Sequence, residues 1–332
     1  MGGDHGVAAT VGGAAALSLE DVDIDVLLVG DSPAMSAALA ELSYNPARLQ
    51  LVHAEGCVNM ADNPRESLAA QPQCSVLTAA RLVDSGEAQA MVSSGNTGAT
   101  ILAASQVLQR LPGVRRAALA SVYPTATQRG PRRDPFALML DVGATTSATP
   151  EDLVAFAHMG SAYSALISEI ERPRVALLSN GSEPNKGTPN IVAAHKLLIG
   201  SHLNFAGNVE GLDIPRGTVD VVVCDGFLGN VVLKMLEGVG EVVGGIAREA
   251  SSRRLQWKLG LSMLGGGLKD LRRMTDWKAY GGAPVLGLDG VVIKAHGRSE
   301  ARAIRNAIKV AAKAVRGDLV GRIRDGLDGD RA

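Results

Sequence analysis

Aromatic residues are scarce in this chain of 332 residues: Phe, Trp and Tyr together make up 3% of it, whereas Gly occurs 39 times. Aliphatic strands and helices must therefore form the core, with many tight loops between them. No apolar run approaches the roughly 20 residues that a membrane-spanning helix needs, and no signal peptide precedes the first charged residues. We expect a protein of the cytoplasm.

A strong charge of one sign is also missing, because 33 Lys and Arg nearly balance 34 Asp and Glu. The overall charge therefore gives no indication of nucleic acid binding. Cysteine occurs only at Cys57, Cys74 and Cys224, without the spacing of a metal site, and we interpret these residues as reduced thiols. Cys224 ends the run VVVC, where a cysteine is more often inert core than a nucleophile.

Three signatures of common enzyme classes are absent from the sequence. It contains no G-x-G-x-x-G motif followed by an acid about 20 residues later, and no G-x-x-x-x-G-K-[ST] motif. It also contains no H-E-x-x-H motif and no carboxylate cluster. These absences disfavour dinucleotide binding, Walker-type nucleotide hydrolysis and metal catalysis, and we expect no cofactor and no metal.

Short aliphatic runs alternate with amphipathic stretches along most of the chain. The runs that predict buried strands are 25–30, 90–94, 118–123, 136–143, 174–180 and 219–226. The stretches that predict helices are 32–42, 96–111, 151–167 and 298–315. This alternation predicts an α/β fold with a doubly wound, mostly parallel sheet. Without a repeat or a linker, one domain over 1–332 is the simplest interpretation, with a polar tail at 317–332.

Residues 240–279 are predicted to leave this domain as a helical hairpin. Between 248 and 278 the sequence has eight Lys or Arg against three acids, and GGG at 265–267 separates two amphipathic stretches. Two interpretations are open. The hairpin is a helix pair packed at a dimer interface, or it is an interfacial helix that touches anionic lipid or an acidic protein.

Four segments share the order of aliphatic strand, small polar loop and helix start. They are 91–102, 177–192, 221–236 and 291–304. Such loops lie together at the carboxyl ends of strands in open α/β sheets, where Gly permits close approach and helix starts attract anions. We therefore expect one shared phosphate-handling site, to which the initial MGGDHG loop also belongs.

The catalytic candidates come from these loops. Lys186 is poorly placed for core packing and well placed to meet a phosphate or an oxyanion. Asn230 is either a helix N-cap or a ligand for a carbonyl oxygen, and His296 contacts a ligand or makes a structural hydrogen bond. The residues expected to bind phosphate or substrate are Asp4, His5, Ser94, Gly95, Asn96, Thr97, Gly98, Asp141, Asp225, Gly226, Gly229 and Arg298.

Five motifs together resemble the bacterial phosphate acyltransferases. They are MGGDHG, SSGNTGA, LDVGA, CDGFLGNVVLKMLEG and YGGAPVLGLDGVVIKAHGRS, and the resemblance runs from residue 1 to about 315. It implies a homodimeric α/β/α enzyme, related in fold to phosphotransacetylases and isocitrate-type dehydrogenases. The implied reaction transfers a fatty acyl group from acyl-acyl-carrier protein to orthophosphate for phospholipid synthesis.

The same resemblance implies peripheral association with the membrane, where a membrane-bound acyltransferase consumes the acyl phosphate. The Lys and Asn that are functional in the family fall on Lys186 and Asn230. The chain departs from the family pattern at 65–76 and at Thr145, where relatives have Asn. Relatives also have a short strand before the MGGDHG loop, so we expect the first strand to be missing here and the initial Met to be an internal residue.

Orthophosphate is ionised near pH 7, so the reaction needs an anion cradle and oxyanion donors rather than a Ser or Cys nucleophile. We expect direct displacement, in which the N–H groups of 95–98 and 226–230, with Lys186, hold phosphate and oxyanion. Asn230 would orient the thioester, and His296 would assist the departing thiol. The alternatives are an acyl-CoA:phosphate transferase, a catalytically impaired membrane-associated scaffold and, least favoured, a nicotinamide dehydrogenase.

Overall fold

Strands and helices alternate along the computed structural model, which describes residues 2–20, 23–131, 133–253 and 281–329. The strands are β1 (Val26–Gly30), β2 (Leu49–His53), β3 (Ala90–Ser93), β4 (Ala118–Arg129), β5 (Asp134–Leu140), β6 (Val175–Leu178), β7 (Phe205–Val209), β8 (Val221–Val223), β9 (Ala283–Leu286) and β10 (Val291–Lys294). The helices are α1 (Gly6–Ser18), α2 (Ser32–Ala40), α3 (Pro64–Ala70), α4 (Ser75–Asp84), α5 (Thr97–Val107), α6 (Pro150–Ile167), α7 (Pro189–Ile199), α8 (Asp213–Arg216), α9 (Gly226–Arg253), α10 (Ala301–Arg316) and α11 (Leu319–Gly329). Every predicted strand and helix overlaps an observed one, which confirms the α/β class.

The larger sheet has eight strands in the order β3-β10-β9-β4-β5-β8-β6-β7, and β1 and β2 form a separate parallel pair. Parallel pairing joins β3 to β10 at one end, and β5, β8, β6 and β7 at the other. Between these blocks, β9 and β4 pair antiparallel with each other and with their neighbours. The sheet is therefore mixed but mostly parallel, and the three antiparallel steps reverse its direction.

This reversal corrects the expectation that four loops share one edge. The loops after β3 and β10 lie at one edge of the large sheet, whereas those after β6 and β8 lie at the opposite edge, because the two blocks run in opposite directions. The periodicity of a strand carries no information about its direction relative to strands distant in sequence. The strand–loop–helix order of the four segments is therefore confirmed, whereas the expectation that their loops lie at one edge of the sheet is wrong.

Helices cover both faces of the large sheet, so side chains alternate between two cores. Val221 and Val223 of β8 belong to the core beneath α6, α7, α10 and α11, whereas Val222 belongs to the core beneath α5 and the start of α9. All three valines are completely buried. Burial on both faces explains why this strand is aliphatic at every position.

The expected polar tail at 317–332 is wrong for the residues that the structure describes there. Residues 319–329 form α11, which packs against α6. Leu319, Ile323 and Leu327 recur at intervals of four and are buried in the core. The polar composition of this segment hid three apolar side chains on one helical face.

Most of the predicted helical hairpin at 240–279 lies outside the described residues. Its described part, 240–253, continues α9 without a break. Among the helices that the structure describes, none combines the length and the apolar composition that a bilayer-spanning helix requires.

A cavity of about 800 Å³ separates the edge of β1 from the edge of β3. Within the described chain, β1 pairs only with β2, and β3 pairs only with β10. Gly2 lines the cavity, and so does Thr10, whose buried hydroxyl has no partner among the described residues. Two sheet edges with unpaired backbone groups suit a further strand. The expectation that a first strand is missing stays a prediction, and this cavity is the place to test it.

Extending the chain before Met1 by about six residues of alternating Val and Ile is expected to stabilise it, since a strand of that length is typical. Each aliphatic side chain that enters the cavity contributes about 1.5–3 kcal/mol. Calorimetry would show a rise in Tm of several degrees. A control extension of equal length with two prolines cannot pair with the sheet edges and is expected to have no effect. Equal Tm values for the two extensions would reject the missing strand.

Candidate active site

Three loops meet at the carboxyl ends of β3 and β10. They comprise residues 2–5, 94–98 and 296–298, and we call them the β10 loop cluster. The backbone N–H of Asp4 donates to the Gly297 carbonyl oxygen at 3.0 Å. Gly3 fits between the other two loops: a Cβ at this position would lie 3.0 Å from Ser94 Oγ and 3.4 Å from the Gly297 oxygen.

Each loop of the β10 loop cluster leads into a helix, and these helices are α1, α5 and α10. The N–H groups of a first helical turn lack intrahelical partners, and the helix dipole adds positive potential there. The starts of α1 and α5 lie at this cluster and create a local preference for anions, whereas Ala301, at the start of α10, packs against Gly12 and Gly13 in the middle of α1. The predicted residues Asp4, His5, Ser94 and Arg298 all belong to this cluster, and Gly95, Thr97 and Gly98 supply its backbone around α5.

Asn96 belongs to the same cluster, but its side chain is fully used by the fold. Its Oδ1 accepts from Ala99 N at 3.1 Å, which caps α5. Its Nδ2 donates to the carbonyl oxygens of Asn59, Met60 and Asp62 at 3.2, 3.2 and 3.3 Å. The side chain of Asn96 therefore positions the loop at the start of α5, and the predicted binding of phosphate by Asn96 is left to its backbone N–H.

His296 lies half-buried at the exit of β10. Burial lowers the pKa of its imidazole; Glu237 opposes this shift, whereas Arg298, Lys294 and Lys234 lower the pKa further. Its Nδ1 accepts from Arg298 N at 3.2 Å, so the proton of the neutral ring is on Nε2. At neutral pH this side chain is a hydrogen-bond donor rather than a cation.

Lys294 was missed by the sequence reasoning. It is the last residue of β10, its exposure is 5%, and burial lowers its pKa to about 8, although Asp4 acts to raise it. The ammonium donates to the carbonyl oxygen of Ala295. The sequence did contain a signal, because Lys294 ends the otherwise aliphatic run VVIK and directly precedes a loop that is predicted to bind phosphate.

One face of α9 is polar and lies beside the β10 loop cluster. Asn230, Lys234, Glu237 and Glu241 recur at i, i+4, i+7 and i+11, so they share a face over about 16 Å at 1.5 Å per residue. We call these four residues the polar stripe. Arg298 Nη1 lies 3.8 Å from Glu241 Oε1, and two further members of the stripe act on His296. The stripe therefore connects Asn230, near the β8 edge, with the β10 loop cluster.

Asp141 organises the loop beside the start of α9. Its Oδ1 accepts from the backbone N–H groups of Leu119, Gly143 and Ala144 at 3.0, 3.0 and 2.9 Å. Its Oδ2 accepts from Thr145 N at 2.7 Å and from Thr145 Oγ1 at 2.8 Å. Burial raises the pKa of Asp141, and these hydrogen bonds oppose the shift. Its carboxylate is saturated by the protein, so the expectation that it binds substrate is replaced by a positioning role.

The first turn of α9 touches this loop through glycines. A Cβ at Gly226 would collide with the Thr145 carbonyl oxygen, and a Cβ at Gly229 with the Asp141 carbonyl oxygen. Thr145 Oγ1 also accepts from Gly226 N at 3.4 Å, so Thr145 ties the loop to the helix. Asp225 Oδ1 accepts from Leu228 N at 2.9 Å. These contacts fix the start of α9 and therefore the position of Asn230.

Lys186 lies in the loop after β6, at the same edge of the sheet as the start of α9. Its side chain is exposed and its stem passes over Gly181, next to the Glu183 carboxylate. The structure therefore places Lys186 at the opposite edge from the β10 loop cluster. The expectation that Lys186 and residues 95–98 together hold one phosphate does not fit this arrangement.

Cys224 is completely buried, and burial raises the pKa of its thiol well above the usual range. Its Sγ donates to the Asp141 carbonyl oxygen at 3.4 Å. A protonated and inaccessible thiol cannot attack a thioester. This geometry agrees with the interpretation of Cys224 as inert core.

Comparison with known proteins gives a consistent result over nearly the whole chain. A family model described as "Fatty acid synthesis protein" matches residues 1–322. Proteins named phosphate acyltransferase are similar to the chain in Myxococcus xanthus (45% identity; 94% of this chain and 87% of the relative) and in Moorella thermoacetica (40%; 98% and 93%). A third, in Alkaliphilus oremlandii, is 37% identical over 98% of this chain and 95% of its own length.

Two solved structures share the fold. A phosphotransacetylase from Streptococcus pyogenes superposes with a TM-score of 0.60 at 18% identity, covering 93% of this chain and 91% of its own. The EutD phosphotransacetylase from Staphylococcus aureus gives 0.56 at 17% identity, with coverage of 91% and 89%. At this level of identity the likeness concerns the fold.

Charge changes on the polar stripe are expected to move the pKa of His296 in opposite directions. Lys234→Gln removes a cation that lowers this pKa and should raise it, whereas Glu237→Gln removes an anion that raises it and should lower it. NMR titration of the imidazole Cε1–H resonance measures both. In the unmodified chain the neutral form should persist as the pH falls below 6.5, the ordinary value. Shifts of the same sign in both variants would contradict the placement of α9 beside His296.

Proposed function

The chain belongs to the phosphate acyltransferase family, and we propose that it transfers a fatty acyl group to orthophosphate, which gives an acyl phosphate for phospholipid synthesis. Acyl transfer to phosphate is the activity that the relatives' name describes. The proposed donor is the thioester of an acyl-acyl-carrier protein.

The β10 loop cluster is the observation that carries this proposal. The starts of α1 and α5 lie there, beside the buried cation of Lys294 and the neutral imidazole of His296. Hydrogen phosphate carries two negative charges near pH 7, and helix starts bind such anions through their free N–H groups. Because phosphate is the nucleophile itself, holding it next to a thioester carbon supplies the main catalytic effect.

The reaction proceeds by direct displacement. A phosphate oxygen attacks the thioester carbon, a C–O bond forms and the C–S bond breaks. The sulfur departs as a thiolate that accepts a hydrogen bond from His296 Nε2–H. The acyl phosphate releases the proton of hydrogen phosphate to solvent, and the thiolate takes up a proton from solvent. Asn230 and Lys186 lie at the opposite edge of the sheet, with Asn230 about 16 Å along α9 from Glu241, which lies beside the β10 loop cluster. We therefore assign these two residues to binding of the acyl donor away from the reacting carbon.

An apolar stripe on α9 supports a homodimer as the working form. Val231, Met235, Val239, Val242 and Ile246 recur at helical spacing, and their side chains are 49%, 59%, 58%, 61% and 62% exposed. A row of exposed aliphatic side chains is typical of a protein interface. The proposed occupant is α9 of a second copy, because the row is continuous and self-complementary across a two-fold axis.

Peripheral association with the membrane, from the cytoplasmic side, is the remaining part of the proposal. The basic segment 248–278 supports it by composition, since Lys and Arg are attracted to anionic lipid. Residues 254–280 lie outside the described residues, so the argument rests on sequence. The proposed partner at the membrane is an acyltransferase that consumes the acyl phosphate.

A second candidate is an acyl-CoA:phosphate transferase. It is favoured by the two phosphotransacetylases that share the fold. The donors differ in the carrier rather than in the reacting thioester, so the geometry of the β10 loop cluster serves both. Rates with the two donors separate these candidates.

Purified protein supplied with acyl-acyl-carrier protein and orthophosphate is expected to release acyl phosphate, measured as the hydroxamate. Lys186→Ala and Asn230→Ala should each raise the KM for the acyl donor about tenfold, as loss of one hydrogen bond to the donor does. Lys196→Ala is the matched control, because Lys196 is exposed on α7 and belongs to no proposed site. Circular dichroism checks that each variant folds.

Faster turnover with acyl-CoA than with the carrier-protein thioester would favour the second candidate. Absence of acyl phosphate from either donor, together with intact liposome binding, would favour a membrane-associated scaffold. An unchanged KM in Lys186→Ala or Asn230→Ala would remove that residue from the mechanism.

The dimer is tested by charging the apolar stripe. The double variant Val239→Glu, Val242→Glu is expected to sediment as a monomer, since two carboxylates cannot be buried between two copies of α9 without partners. Ile199→Glu, which charges an exposed aliphatic position on α7, is the control and should remain a dimer. A dimer that persists in the double variant would place the interface elsewhere.

A further inference from the structure

Lys294 is a buried cation that has no ion-pair partner among the described residues. Its exposure is 5%, yet within the described residues its ammonium makes one hydrogen bond, to the backbone of its own neighbour, Ala295. No carboxylate of the described chain lies within ion-pair distance of it. Burying a charge is costly unless a partner compensates it. A ligand that is anionic would supply the missing partner.

The register of β10 places this ammonium at the β10 loop cluster. Lys294 lies opposite Ser93 of β3, the residue directly before the 94–98 loop. Val292 packs in the core beneath α5 and α9, whereas Ile293 packs in the core on the other face. Because side chains alternate along a strand, Lys294 shares the face of Val292 and points towards the start of α5 and the polar stripe.

We propose that Lys294 binds the phosphate acceptor, acting as the full positive charge within the β10 loop cluster. This inference rests on the function proposed above and adds to it the residue that pairs with the nucleophile. Helix starts supply partial charges and directed N–H groups, and Lys is a common point-charge ligand for phosphate. Lys186, at the opposite edge of the sheet, is not available to the same anion.

The proposed anion binding depends on pH, because it requires the protonated form of Lys294. Its pKa is lowered to about 8, so the ammonium is charged at pH 7 and loses its proton as the pH rises through that value. Asp4 is the charged group that acts on Lys294, and Lys294 in turn acts on His296, on which Lys234, Glu237 and Arg298 also act. Anion binding should therefore weaken above about pH 8 in the unmodified protein.

The test measures binding of inorganic phosphate to the full-length protein by calorimetry, without an acyl donor. Lys294→Met keeps the length of the side chain and removes its charge; it is expected to raise the Kd for phosphate about tenfold or more, the size of one charge-assisted hydrogen bond. Lys196→Met, at an exposed position of α7 outside every proposed site, is the matched control and should leave the Kd unchanged. Without phosphate, Lys294→Met should be at least as thermostable as the unmodified protein, because an uncompensated buried charge has been removed.

An unchanged Kd in a folded Lys294→Met protein would overturn the inference. If this variant does not fold, sulfate binding to the unmodified protein decides, because sulfate does not titrate between pH 7 and 10. A loss of sulfate affinity above about pH 8 supports Lys294, and a constant affinity overturns its role. Acyl phosphate production by the unmodified protein is measured separately. A protein that binds phosphate through Lys294 but makes no acyl phosphate would contradict only the proposed reaction, and an active protein whose phosphate Kd is unchanged in Lys294→Met would contradict only the role of Lys294.

Discussion

The buried carboxylate of Asp141 is the constraint on which the site depends. Its two oxygens accept five hydrogen bonds from Leu119, Gly143, Ala144 and Thr145, which fixes the loop after β5. The first turn of α9 packs so closely against that loop that only glycine fits at 226 and 229. Hydrogen bonds to a charged carboxylate are among the stronger ones in proteins, so this anchor holds the direction of the long helix.

The three faces of α9 have different surroundings. Val232, Leu233 and Leu236 pack on the sheet and bury the helix. The polar stripe faces the β10 loop cluster, so that Asn230 and His296 are linked by one rigid element. The apolar stripe is exposed to solvent. These three faces explain why apolar residues in α9 are not confined to one side of the helix.

The sequence was sufficient for the α/β class, for the loops of the site and for the described strands other than β2, β7 and β9. It was sufficient because doubly covered strands are aliphatic at every position, and because Gly, Asn and Ser between a strand and a helix leave a local pattern. It was not sufficient for the reversal of the sheet at β9 and β4, which depends on pairing between residues far apart in the chain.

The roles of single residues were the other limit. Asp141 and Asn96 have the chemistry of ligands, and only the structure shows that their polar atoms are already engaged by the backbone. The opposite is true of Lys294. A Lys at the end of a strand is expected to be exposed to solvent, whereas Lys294 is buried. Burial and hydrogen-bond saturation are properties of the assembled fold, and a pattern of residue types does not contain them.

The central claim is that the acceptor anion binds in the β10 loop cluster, where α1 and α5 begin. The most direct measurement is a diffraction experiment on crystals grown with selenate, whose anomalous signal locates the anion. The account predicts one strong peak within hydrogen-bond distance of the backbone N–H groups of 95–98 and of Lys294 Nζ. A peak beside Lys186 at the opposite edge of the sheet, with none in the β10 loop cluster, would contradict it.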